Sequence, residues 1–269
     1  MEILGYASCL VIGLILGLIG GGGSLLGVPV LVYIMGMEAG LATTYSLFIV
    51  GMTALVGASS YVKKGEVSVE ALLNFAISSV ITVFCMRKFI MPSLPNQFYF
   101  GEHIVQKHTL IMVVFALLIL SASYSMIITR KPNRVKDVKW NEFTKTPLGV
   151  PFVILLGVLI GIITGFVGAG GGFIIVPLLM IFVRLNFKKA IGTSLCIVAL
   201  NSIVGFLGSI GHQPLNWKFI ITISVICGLG ILLGSLLSTK ISSKKLKPAF
   251  GWFTLCVGVF ELIKELFLK

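Results

Sequence analysis

GLILGLIGGGGSLLGVP occupies residues 13–29, and GIITGFVGAGGGFIIVP occupies residues 161–177. The two align without a gap at a constant offset of 148, and the match extends over residues 13–60 and 161–208. Ala42, Ser46, Leu47 and Gly57 fall on Ala190, Ser194, Leu195 and Gly205. A chain that repeats a glycine-broken apolar segment in each half has the pattern of a transporter, with its site where the copies meet.

Composition sets the environment. Hydrophobic residues make up 57% of the chain and charged residues 11%, against about a quarter charged in a soluble domain. This predicts an integral membrane protein embedded in a lipid bilayer. The start, MEILGYASCLVIG, has no basic stretch or small-x-small cleavage site and reads as the first membrane helix. The net charge of +12 sits mostly in short loops beside apolar stretches, so it orients the chain in the membrane and gives no sign of nucleic-acid binding. Cys9, Cys85, Cys196, Cys227 and Cys256 are scattered singly, which supports neither a disulfide framework nor a metal site.

Apolar segments run roughly over 3–20, 24–36, 42–62, 67–90, 109–129, 149–168, 172–184, 190–211, 218–239 and 249–267. Most approach the ~20 residues a spanning helix needs. Segments 24–36 and 172–184 are too short: about 13 residues cover ~20 Å of a ~30 Å core. Each is either a tilted short helix or the return arm of a re-entrant hairpin. The basic loop 130–148 (Arg130, Lys131, Arg134, Lys136, Lys139, Lys145) belongs on the cytoplasmic side. Lys63 and Lys64, the cluster Arg184, Lys188 and Lys189, and the cluster Lys240, Lys244, Lys245 and Lys247 then fall inside as well. Both termini and the loop 91–108 fall outside. Each half therefore crosses an odd number of times, and the copies are inverted.

The expected fold is an all-α polytopic membrane protein of two inverted repeats. Each repeat is a glycine-broken helical hairpin plus three spanning helices, for about 8–10 membrane segments. Residues 1–129 form the first repeat, 130–148 a cytoplasmic linker and 149–269 the second repeat, all within one membrane domain.

Gly20, Gly21, Gly22 and Gly23 in the first copy, and Gly168, Gly170, Gly171 and Gly172 in the second, break helices at membrane depth. Such backbone is tolerated only against protein or a water-lined cavity. Its bare N–H groups, with the positive end of the following short helix, suit an anion. Close packing is the competing role, and Gly13, Gly17, Gly157, Gly161 and Gly165 are assigned to it. The hydroxyls of Thr43, Thr44, Tyr45 and Ser46, and of Thr193 and Ser194, begin long helices, where capping and ligand contact are both open. Thr53, Asn201 and Ser202 lie deeper, and Ser24 and Thr164 flank the glycine runs. Arg87 and Lys88 lie near an outer interface, where snorkelling is the default and an anion exit the alternative.

The pattern G-x-x-G-x-G-G, then proline, then A-x-x-x-S-L, present twice across a basic loop, resembles the TauE/SafE sulfite exporter family. GFVGAGGGFIIVP with AIGTSL is the more typical copy; the first has TTYSL where GTSL is expected. The resemblance implies a bacterial inner-membrane permease for sulfite or small organosulfonates. It carries the site onto Gly20–Gly23, Thr44, Ser46, Gly168, Gly170–Gly172, Thr193 and Ser194; Ser24 and Asn201 are added from their position in the pattern.

No membrane carboxylate reads as central: Glu70 lies near a helix start, and Glu261 and Glu265 near the chain end. An inside-negative potential of about 100 mV supplies roughly 2.3 kcal/mol per charge, enough to drive anion efflux without a coupling ion. The expected function is such a permease, not an enzyme, with no cofactor. A channel-like anion pore and uptake of a sulfur-containing anion are the alternatives, and a homo-oligomer is compatible with either.

Overall fold

The computed structural model describes residues 2–19, 24–95, 97–100, 103–128, 149–183, 185–211, 214–240 and 243–267. Its helices follow the apolar segments. In the first half these are α1 (Glu2–Ile19), α2 (Ser24–Ile34), α3 (Ala39–Lys63), α4 (Val69–Ser93) and α5 (Lys107–Ile128). In the second they are α6 (Gly149–Val167), α7 (Gly172–Ile181), α8 (Phe187–Ser209), α9 (Trp217–Lys240) and α10 (Ser243–Phe267). By length and composition α3, α4, α8 and α9 can each cross a membrane, and the protein is a multi-pass membrane protein. Two helices contain π-helical turns, α2 at Val30–Ile34 and α4 at Met86–Ile90. The expected outer loop between α4 and α5 holds a hairpin in which β1 (Gln97–Phe100) pairs antiparallel with β2 (His103–Gln106). The linker 130–148 lies outside the described residues.

Helix faces sort by side-chain type. Val69, Leu73, Ile77 and Ile81 form an exposed stripe at four-residue spacing on α4. Trp217, Ile221, Val225 and Leu229 form its counterpart on α9 at the same 148-residue offset. Large exposed apolar stripes of this kind face lipid, because water would reject them. By contrast α3 and α8 are mostly buried and form the centre of the molecule.

Helix pairing is reciprocal between the halves. α1 lies along α9 as α6 lies along α4, and α3 packs on α9 as α8 packs on α4. Small residues permit the first pairing: Gly13 rests on the Cys227 carbonyl, and Gly17 on the backbone of Ile231 and Ser235. Gly157, Gly161 and Gly165 rest in the same way on Ser78, Thr82 and Met86. Without side chains at these points the backbones close together, which is the main source of helix association in lipid. Both of these pairs are parallel, since residue numbers rise together along the contact.

The central pair runs in the opposite sense. Leu47 meets Gly205, Gly51 meets Ile203, Gly57 meets Leu195 and Tyr61 meets Gly192, so α3 and its counterpart α8 are antiparallel. α5 and α10 are also antiparallel: Ile119 touches Gly258, and the Ser123 hydroxyl donates to the Gly251 carbonyl at 2.7 Å. Phe115 of α5 meets Phe173 of α7 edge-on, 5.8 Å between ring centres, deep in the core.

Candidate functional site

The second glycine run breaks the chain between α6 and α7. Gly168, Gly170 and Gly171 have φ of 74°, 69° and 71°, a left-handed backbone that costs an L-residue roughly 1–2 kcal/mol. The Gly168 N–H still bonds the Thr164 carbonyl at 2.9 Å, closing α6. Gly171 then serves as the N-cap of α7 without a side-chain cap. The loop lies inside the protein, and every residue from Val167 to Phe173 is buried.

Each left-handed glycine of this loop faces a side-chain atom that has no hydrogen-bond partner. Gly168 lies against Arg87 Nη2, Gly170 against Ser202 Oγ and Gly171 against Thr164 Oγ1. Those three atoms, with Arg87 Nε and Asn201 Nδ2, are buried and unpartnered. Arg87 is 4% exposed, and its one bond runs from Nη1 to Thr43 Oγ1 at 3.1 Å. Thr43 in turn donates to the Gly40 carbonyl at 2.9 Å. Deeper on α4, the Ser79 hydroxyl donates to Asn201 Oδ1 at 2.9 Å. Ser79 and Arg87 are eight residues apart on α4, about 12 Å along the axis. The result is a file of donors from Arg87 toward the crossing of α3 and α8.

These donors share one electrostatic sign. They are a guanidinium, hydroxyls and an amide N–H₂, with no carboxylate among them. A buried charge without a counter-ion costs several kcal/mol, and each orphaned donor about 1–3 kcal/mol more. In this conformation the loop fills the space before them: a Cβ at Gly168 would overlap both Arg87 Nη2 and Thr43.

The residues expected to form the site divide into groups. Gly168, Gly170, Gly171, Gly172 and Asn201 come together here. Ser46 is three residues from Thr43 and so shares that face of α3, but its unpartnered Oγ lies against Gly27 of α2. That face borders a small apolar pocket lined by Gly27, Thr53, Cys9 and Cys227 among others. Ser24 is buried at the start of α2. Gly20, Gly21, Gly22 and Gly23 lie outside the described residues.

Three expected hydroxyls are committed to backbone. Thr44 donates to the Gly40 carbonyl at 3.1 Å, and Ser194 to the Ile191 carbonyl at 2.9 Å. Thr193 Oγ1 accepts the Ser68 N–H at 2.9 Å, just before α4 begins. Its counterpart is Tyr45, whose hydroxyl accepts the Asn216 N–H at 2.8 Å, just before α9 begins. Ser68 and Asn216 are also 148 residues apart. The tyrosine in TTYSL therefore does the same structural work as the threonine in GTSL.

Arg87 reads in the sequence as lying near an outer interface, with snorkelling the default and an anion exit the alternative; its burial excludes snorkelling. Helix α4 runs on to Ser93 through the π turn that holds Arg87. Lys107 Nζ then bonds the Met91 and Leu94 carbonyls, closing the end of the helix. Lys88, the neighbouring cation, is exposed over the Phe84 ring at 5.5 Å, as a snorkelling residue should be.

Comparison with known proteins is consistent with this architecture. The chain is 27% identical over 261 residues to a "Probable membrane transporter protein" of Xylella fastidiosa, covering 93% of this chain and 91% of the relative. A protein of that description from Haemophilus influenzae is 25% identical over 281 residues, covering 95% and 97%. One from Methanocaldococcus jannaschii is 34% identical over 117 residues, covering 41% and 44%. No solved structure matches. The family model described as "Sulfite exporter TauE/SafE" matches residues 6–260, and the chain belongs to that family of membrane transporters.

Proposed function

We propose that this protein carries a small anion across the cytoplasmic membrane, with sulfite or a small organosulfonate as the favoured class. The observation that carries the reading is Arg87, a buried guanidinium with two unpartnered nitrogens, faced by a loop whose other left-handed glycines face unpartnered hydroxyls. An oxyanion at this point would satisfy the planar guanidinium fork through two parallel bonds. It would also take up the Thr164 and Ser202 hydroxyls. The N-terminus of α7 adds the favourable end of a helix dipole.

The architecture we infer is a pair of inverted repeats, residues 1–129 and 149–269, joined by the cytoplasmic linker 130–148. The antiparallel course of α3 and α8 and the reciprocal pairing of the other helices support it. Both halves contribute to the site: Arg87 and Thr43 from the first, the glycine loop, Thr164, Asn201 and Ser202 from the second. With the linker inside, Arg87 sits in the outer half of the membrane. Displacing the loop 168–171 uncovers the donors, so the conformation described is the closed one. An anion moving without a counter-ion gains roughly 2.3 kcal/mol per charge on leaving a cell held at about 100 mV, which makes efflux the favoured direction.

Thermal unfolding of the purified protein tests the reading, with sulfite, sulfate, thiosulfate, taurine and sulfoacetate added in turn. At least one is expected to raise the transition temperature in a saturable way, and flux of that compound into proteoliposomes should saturate too. Stabilisation by none of them, or flux that never saturates, would overturn the carrier assignment.

A further inference from the structure

Helix α10 carries a second buried ionisable group, far from the glycine loop in the chain. Glu261 and Glu265 are four residues apart and so share a helix face. That face is turned inward: Glu261 is 0% exposed and Glu265 is 4% exposed. Glu265 receives a hydrogen bond from the Tyr33 hydroxyl at 3.3 Å. Glu261 receives none at either oxygen. The nearest cation on the helix, Lys264, lies 3.8 Å over the Tyr33 ring, where it interacts with the π face. The titratable groups acting on Glu261 are Glu265 and Tyr33. α1, α5 and α8, the other helices packed on α10, bring no ionisable group to it among the described residues.

A carboxylate with neither cation nor donor is among the most costly groups a membrane protein can bury. It has no packing role that a leucine or glutamine would not fill better. Resting on the carrier reading above, and replacing its movement without a counter-ion, we propose that Glu261 is a proton-binding site that couples proton occupancy to movement of the anion. The carboxylate takes one proton from water to become the acid and returns it in the opposite step. Glu265 and the half-buried Tyr33 lie between it and the surface and provide the path. The same pair is a latch. Tyr33 sits in the π turn that ends α2, and the Glu265 bond ties that turn to α10. A negative charge on Glu261 repels Glu265 and loads the latch; a proton relieves it. From the latch α2 runs back through Gly27, which rests on Ser46 of α3.

The first test needs no cargo. The carbonyl stretch of a protonated carboxylic acid, followed by infrared spectroscopy of the membrane-reconstituted protein across pH, is expected in wild type and in Glu265→Gln but absent from Glu261→Gln. Survival of that band in Glu261→Gln overturns the proposal, whether or not any sulfur anion is moved. The second test uses radiolabelled sulfite, sulfate and thiosulfate in parallel, in proteoliposomes with the potential clamped at zero. Wild-type flux is expected to change several-fold with an imposed pH gradient. Glu261→Gln should retain flux that no longer responds to the gradient. Labelled flux that ignores the gradient in wild type, or that responds equally in Glu261→Gln, refutes the coupling role. Failure of all three labels to move in wild type refutes the carrier reading on which that role rests, while the infrared result still decides whether the site holds a proton.

Discussion

Gly168 lies directly against the Arg87 guanidinium, so close that a Cβ at position 168 would overlap Nη2. The two residues come from different halves of the chain, and the contact exists only because one is a glycine in a left-handed conformation. The halves are not equivalent here. The counterpart of Arg87 at the 148-residue offset is Ser235, so the sequence repeat does not carry the cation into the second half.

A buried, half-unpartnered guanidinium should be a burden in the unliganded protein. Replacing a buried charge by an apolar residue of similar volume is often neutral or stabilising, by up to about 4 kcal/mol. Arg87→Met is therefore expected to unfold at a higher temperature than wild type and to lose all stabilisation by added oxyanions. Arg87→Lys keeps the charge without the fork and should bind at least tenfold more weakly. A destabilised Arg87→Met that still responds to anions would show that Arg87 serves the helix contacts alone.

The loop glycines differ from others that also have positive φ. Gly36, at φ 67°, has nothing within reach of an added Cβ, whereas Gly170 would strike Ser202 Oγ, Val50 and Val198. Gly36→Ala should cost only the backbone strain of about 1 kcal/mol. Gly170→Ala adds overpacking of typically 1–3 kcal/mol and should abolish flux while the protein still inserts. Equal transport by the two variants would mean that the loop does not move.

Much of the architecture was legible in the sequence because hydropathy and spacing report it directly. All ten apolar segments became helices with ends within about three residues of expectation, except that α10 begins six residues early, at Ser243, and the repeat offset of 148 reappears in the exposed apolar stripes of α4 and α9. The glycine run 168–172 was legible for a similar reason, since consecutive glycines have little use in a packed helix. What a hydroxyl does was not legible. Thr193 and Thr164 are the same residue type beside the same repeat, yet one is satisfied by a backbone N–H that is 125 residues away in the chain and the other is satisfied by nothing. The burial of Arg87 was not legible, because it depends on what packs around the end of α4. Nothing in the apolar segment 67–90 marks the π turn at its end, and the run to Ser93 and the Lys107 closure lie beyond it.

Asn201 and Ser79 offer a test of how far the donor file extends. Ser79 Oγ holds Asn201 Oδ1, which fixes the amide so that Nδ2 points away unpartnered. Ser79→Ala leaves that oxygen without its donor, at a cost of about 1–3 kcal/mol. The amide is then free to turn, and anion affinity should fall several-fold. Asn201→Leu removes both unsatisfied ends and should be no less stable than Ser79→Ala, but bind anion more weakly still. In a double-mutant cycle on affinity, Ser79→Ala should have no further effect once Asn201 is leucine. Additive losses would place the two residues in separate roles.

Thr193 and Tyr45 perform one task in two chemistries, accepting the N–H that precedes α4 and α9. Removing either hydroxyl leaves a backbone donor to find water or go unsatisfied, at about 1–3 kcal/mol when buried. Thr193→Val and Tyr45→Phe keep shape and should each lower the unfolding transition by that amount. Tyr45→Phe also keeps the ring contact with Phe219, 5.9 Å between centres, so its loss should be the cleaner measure of the bond. Neither change touches the Arg87 site, so anion affinity and the maximal stabilisation by anion should stay at wild-type values. A fall in affinity with unchanged stability would instead put these two hydroxyls on the anion itself.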